Sequence, residues 1–259
     1  MHPPAGFLHL RGRANVAVAL LIVTALVSAL SILYELDMRS LIDRIAAGQP
    51  VGLAEVQTAD DRTTLVAMLS LGALVATGIA FVAWFFRAYV NIERLGARDL
   101  RATKGWSIGA WFVPLLNLVR PKQIMDDIWR ASDPALPAGE LRGWQRAAVP
   151  GLLHGWWAAF LIAGVIANIS GQMLAGAETP AARHSAGQIS MIGDAGMIAA
   201  AVLAVLVIRA VTSRQEDRAA RVGPGSPPAE YTPLAVQYSP ALDFGEPDRP
   251  HSFPPPSAA

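Results

Sequence analysis

Few side chains in this 259-residue chain could do chemistry, and most of them stand beside or inside uncharged apolar sequence. Residues 105–119 read GWSIGAWFVPLLNLV, an apolar stretch interrupted by Pro114 and Asn117 and followed by Arg120. Short, proline-broken apolar segments at membrane depth line binding sites in transporters. Arg87 and Asn91 upstream, Trp106 and Trp111 within, and Trp129 beyond complete a candidate ligand- or partner-binding set. Two arginines there suit an anionic ligand or a lipid headgroup, because the guanidinium fork matches phosphate and carboxylate geometry. His154, Asn168 and Asp194 form a second set, inside long apolar runs where a polar group is expensive and functional by default.

Other chemistries are missing their parts. The chain has no cysteine, which excludes a thiolate nucleophile, a thiolate zinc site and an iron–sulfur centre. It has no Walker-type phosphate loop, no His-Glu-x-x-His and no Gly-x-Ser-x-Gly elbow. No His, Asp and Glu cluster offers metal-ligand spacing, so no catalytic residue, metal or cofactor is assigned. His154 lies about five residues from one end of its run and Asp194 about five from the opposite end of the next. At 1.5 Å per residue they stand about 15 Å apart along the membrane normal and form no dyad, whereas Asn168 is placed to reach Asp194.

The elements that must hold these groups follow from composition. Apolar residues make up 53 % of the chain and charged residues 16 %, far from the balance of a water-soluble domain. Four runs reach the roughly 20 residues that a bilayer core requires: Ala14 to Tyr34, Leu65 to Phe86, Val149 to Ile169 and Ile189 to Ile208. The first exceeds a signal-peptide core, so it is read as an uncleaved span. Residues 105–119 would reach only about 22 Å as a helix, too short to cross.

Charge sets the orientation. With the N-terminus inside, seventeen basic residues fall on the cytoplasmic side and four outside, as positive-inside placement requires. Letting 105–119 cross would carry Arg120, Lys122, Arg130 and the later basic residues out. That stretch is therefore read as re-entrant or interfacial, and both termini as cytoplasmic. The net charge of +1 gives no argument for nucleic acid.

The connecting regions add detail. In 35–64, Leu36, Leu41, Ile42 and Ile45 repeat with helical period, Gly48 and Pro50 stop the pattern, and a short helix begins near Leu53. Asp60 and Asp61 are candidate caps for the second span. Trp84, Arg87 and Asn91 share one helical face. Pro121 suits the first turn of a helix over 121–132. That helix gathers Ile124, Met125, Ile128 and Trp129 on one side and Asp126, Asp127 and Arg130 on the other, the pattern of an interfacial or partner-facing helix. Arg142, Trp144 and Arg146 read as headgroup anchors before the third span. Gly72, Ala76 and Ala80, and Gly196, Ala200 and Ala204, make two small-residue ridges for close helix approach. Residues 222–259 hold ten prolines and little that could form a core, as in a disordered tail.

The run WFFRAYVN, then GWSIGAWFVPLLNLVRP, then IMDDIWRAS, with IAAGQPVGLAEVQTADDR upstream, resembles an actinobacterial multi-pass membrane family known as domain of unknown function number 4328. Trp106, Trp111, Pro114, Asn117 and Pro121 carry the most specific part of the likeness, which covers roughly Ala14 to Val211. The resemblance implies a several-span protein of the bacterial inner membrane and no particular reaction.

The expected fold is an all-α membrane protein of four transmembrane helices, with a short re-entrant or interfacial segment and an amphipathic helix. The expected partners are the lipid bilayer and a protein partner or a second copy of the chain. Three roles remain: a scaffold or accessory protein docking a partner at the cytoplasmic face, a solute-, ion- or lipid-binding transport protein using residues 105–119, and, least favoured because no nucleophile or metal ligands converge, an enzyme.

Overall fold

In the computed structural model, which describes residues 4–139, 141 and 143–223, the apolar runs become the middles of helices longer than themselves. Helix α1 is Arg11–Ala46, α2 is Leu53–Arg94, α6 is Gly151–Ala175 and α7 is Pro180–Val222. All four are long and apolar enough to cross a membrane. Among the described residues there is no strand, and the chain is an all-α membrane protein. At 1.5 Å per residue α1, α2 and α7 reach about 54 to 65 Å, well beyond a bilayer core of about 30 Å.

Several expected boundaries move. Leu36 to Ile45 is no separate helix but the end of α1, which stops at Ala46 with Gly48 at φ +70°. Leu53 opens α2 itself, and the residue before it, Gly52, occupies the cap position. Asp60 and Asp61 are therefore not caps; they are exposed in the interior of α2. Nothing between Leu53 and Leu65 breaks helical geometry, so the short helix and the span fuse. An Arg44–Glu55 ion pair ties the two extensions together.

The helices pack in the order α2, α1, α7, α6. The ridge on α7 lets α6 approach. A β-carbon on Gly196 would lie 3.4 Å from Ala163 Cβ, and one on Gly193 would lie 3.2 Å from Ile166 Cγ2. Ala200 and Ala204 continue that buried line. On α2, Gly72 faces open space, so that ridge is not used in the same way. Thr24 of α1 and Thr77 of α2 share a hydrogen bond of 2.8 Å.

At one end the bundle is closed by a cap. The one-turn helices α3 (Trp106–Gly109) and α4 (Pro114–Asn117) lead into α5 (Arg120–Ala131) and a 3-10 turn, Trp144–Arg146. Ile124, Met125 and Ile128 on α5 are fully buried with Trp84, Phe85, Tyr89, Trp144 and Leu153. The apolar face of α5 thus covers the chain's own core, which corrects its reading as a partner-facing surface. Trp144 is no headgroup anchor either: it is buried and its indole N–H donates to the Arg98 carbonyl at 3.1 Å. Arg142, named with it, lies outside the described residues, as does the tail from residue 224 onward.

Polar side chains lock the cap. Arg218 of α7 is fully buried and donates to the carbonyls of Leu95, Asp133, Leu136 and Pro137 at 2.8 to 3.1 Å. These are peptide oxygens that would otherwise be buried without donors. Gly96, at φ +98°, meets the crossing segment so closely that a β-carbon would lie 2.1 Å from the Gly139 carbonyl oxygen. Only glycine allows that approach.

Candidate functional site

The broken segment is built on an aromatic platform. Phe81 and Phe85 of α2 and Trp156, Trp157 and Phe160 of α6 present their rings to one volume. Trp111 fills it, with ring centroids 5.6 Å from Phe81 and Phe85 and 6.0 Å from Trp157, all edge-on. Edge-to-face contacts of this kind favour aromatic pairs beyond their buried area. The Trp157 indole donates to the Leu118 carbonyl at 3.1 Å and secures the exit from α4.

Pro114 takes the first turn of α4, where its missing N–H costs nothing, so the segment is two single helical turns with a break between them. Much of this broken segment is bare. Phe112 is 75 % exposed and Leu115 81 %, with Trp106, Ile108, Val113, Leu118 and Val119 also exposed. Ile162, Val165 and Ile169 of α6 are exposed as well. Two polar atoms are buried in the segment with no hydrogen-bond partner: Trp111 Nε1 and Asn117 Oδ1.

Arg87 and Asn91 do not join this broken segment. They face the segment before α1, across a different side of α2. The Asn91 amide accepts from Leu8 N–H at 3.0 Å, donates to the Leu8 carbonyl at 2.8 Å and donates to Gln215 Oε1 at 3.1 Å. Gln215 in turn donates to the Ala88 carbonyl. Arg87 donates to the His9 carbonyl at 3.1 Å. Trp84, on the same face, donates to Thr212 Oγ1 of α7. Arg87 and Asn91 are thus not brought together with Asn117 into one site.

Arg120 opens α5 and is partly exposed. Trp129 lies under Arg214, whose guanidinium carbon is 4.2 Å from the ring centroid. Arg214 also pairs with Asp133 at 3.0 Å. Trp129 therefore holds α7 against the cap.

Asp127 was expected on the polar side of α5, yet its side chain is 1 % exposed. Neither carboxylate oxygen has a hydrogen-bond donor. Arg101 Nε at 3.5 Å and Arg130 Nη1 at 3.9 Å are its long-range counter-charges. Burial pushes its pKa up to about 6, against the pull of Arg101 and Arg130. The reading from the sequence missed this group, because helical periodicity alone placed it facing water.

The intramembrane set disperses. His154 is exposed on α6. Asn168 is exposed too and accepts from Gln172 Nε2 at 2.6 Å, so it is engaged on its own helix and not with Asp194. Asp194 of α7 instead faces Ser28 and Ser31 of α1. Glu35, one further turn along that face, presses on the α7 backbone: a β-carbon on Gly187 would lie 2.6 Å from Glu35 Oε2. Thr24, Ser28 and Ser31 inside the first span, and Glu35 just beyond it, repeat at i, i+4, i+7 and i+11, a polar stripe on one face of α1 that reading for charges alone overlooked.

The profile of the family described as Domain of unknown function (DUF4328) matches residues 47–213. The chain belongs to this family. The DUF4328 segment contains α2, the broken segment, α5, α6 and most of α7, and therefore the platform, Asp127 and Asp194. Residues 4–10, which Arg87 and Asn91 engage through His9 and Leu8, and all of α1 precede the match. No curated protein and no solved structure matches the chain.

Proposed function

We propose that the protein is a membrane accessory protein of the bacterial inner membrane that engages lipid of the cytoplasmic leaflet through residues 105–119. One observation carries this reading. The broken segment exposes Phe112 and Leu115 while Trp111 anchors it on the aromatic platform. An exposed apolar patch backed by a rigid support suits acyl chains rather than water. Support for a cytoplasmic location comes from the seventeen-to-four division of basic residues, which favours an orientation with the broken segment and both termini inside. Docking of a protein partner on α5 is not retained, since that face is occupied.

The test is a spin label at Phe112→Cys or Leu115→Cys in the full chain reconstituted in vesicles. Both labels should collide with oxygen and be shielded from a water-soluble nickel chelate. Strong nickel collision at both positions would place the broken segment in water and end this reading.

A further inference from the structure

Three arginines converge where α1 and α2 leave their apolar runs at the cap end. Arg13 immediately precedes the run of α1, and Arg87 immediately follows that of α2. Arg94 lies two turns beyond Arg87, and Ala83, Arg87 and Arg94 share one face of α2 through their i, i+4, i+11 spacing. Arg13 donates to the Ala83 carbonyl at 3.0 Å and Arg87 to the His9 carbonyl at 3.1 Å, both neutral acceptors. Arg94 makes no ion pair among the described residues, and its Nη1 is buried with no acceptor. Gly6 passes over it: a β-carbon there would lie 3.7 Å from Arg94 Nε. The charges that act on Arg87 are those of Arg13 and Arg94, both positive.

The nearby carboxylates are committed elsewhere. Glu93 pairs with Lys104 at 2.6 Å. Glu216 accepts from Leu10 N–H at 3.1 Å and faces His9 and Arg11. Among the described residues, three guanidiniums therefore stand together without an anion. Below them the same side of α2 continues as Ile79, Val75, Gly72 and Met68, spaced by three or four residues. Ile79, Val75 and Met68 are exposed, and Gly72 has open space around it. A cationic cluster above a bare apolar stripe has the two-part chemistry of a phospholipid.

We propose that Arg13, Arg87 and Arg94 bind the phosphate of an anionic phospholipid whose acyl chain lies along Met68, Val75 and Ile79 of α2. Guanidinium forks fit the phosphodiester oxygens, and each basic residue near an anionic surface strengthens attachment. The site stands on α1 and α2 and does not depend on how residues 105–119 are placed.

The experiment is native mass spectrometry of the full chain released from membranes containing phosphatidylglycerol and phosphatidylcholine. The wild type should retain phosphatidylglycerol preferentially. Arg94→Gln, which removes no hydrogen bond or ion pair seen here, should lower that retention about five-fold, and R13Q/R94Q further. R13K/R94K should recover much of it, which separates loss of charge from loss of fold. Equal retention of the two lipids by the wild type would overturn the proposal, as would unchanged retention in R13Q/R94Q. Displacement of phosphatidylglycerol by a millimolar excess of inorganic phosphate would also overturn it, by showing that the site reads phosphate without a lipid.

Discussion

Asn91 pairs its side-chain amide with the backbone of Leu8 in both directions, accepting from the N–H and donating to the carbonyl across 83 residues of sequence. The amide acts as a surrogate peptide, tying the segment before α1 to the last turns of α2. Asn91 is fully buried, so removing it leaves the Leu8 groups without partners in a place water cannot easily reach. Asn91→Ala should cost about 1–3 kcal/mol in detergent-micelle unfolding and open residues 4–10 to amide exchange. Asn91→Asp should do no better, because a carboxylate cannot donate to the Leu8 carbonyl or to Gln215 Oε1. An Ala variant as stable as wild type, with the same exchange pattern, would show that the pairing is incidental.

The same pair shows where sequence reasoning stops. Four apolar runs are legible because a bilayer imposes a length and forbids charge, and a local window reports both. The spacing of Trp84, Arg87 and Asn91 reveals a shared face for the same local reason. What lies opposite that face is a contact over 83 residues, which leaves no periodic trace. Arg87 and Asn91 therefore read equally well as neighbours of Asn117 and Arg120. Helix α5 repeats the lesson: its amphipathic pattern marks a face to be covered, and only the fold reveals that Trp84, Phe85 and Trp144 cover it. Asp127 escaped because the cap buries both sides of α5, whereas periodicity assumes one wet side.

Asp127 should make stability depend on pH. Its folded pKa is raised to about 6 from the ordinary 3.8, so between those values the folded chain binds more protons than the unfolded one. Its contribution is fully present below about pH 4 and is lost as pH rises through 6. Groups facing it are Arg101 from the preceding loop and Arg130 and Asp126 from its own helix, with Tyr89 of α2 alongside. Asp127→Asn mimics the protonated form. It should flatten the decline in melting temperature between pH 4 and 7 and exceed wild type above pH 7 by roughly 1–3 kcal/mol. Identical pH slopes for the two proteins would mean that Arg101 and Arg130 hold the carboxylate ionised throughout.

The arrangement of the helices makes its own demand on topology. Thr58 lies on the α2 extension, while Thr103 and Ala138 lie in the cap at the opposite end of that helix. All three are exposed, so each accepts a cysteine without disturbing packing, and the chain has no native thiol to compete. Ser107 and Ser132 are less suitable, because both are buried and donate to backbone carbonyls. With an impermeant maleimide on intact cells, Thr58→Cys should label and Thr103→Cys and Ala138→Cys should label only after lysis. The reason is electrostatic: turning the molecule over would place most of its arginines, Arg218 and the Arg13–Arg87–Arg94 cluster among them, on the side that positive charge avoids. Labelling of Thr103→Cys and Ala138→Cys in intact cells, with Thr58→Cys protected, would invert the bundle. The arginine cluster would then face the outer leaflet.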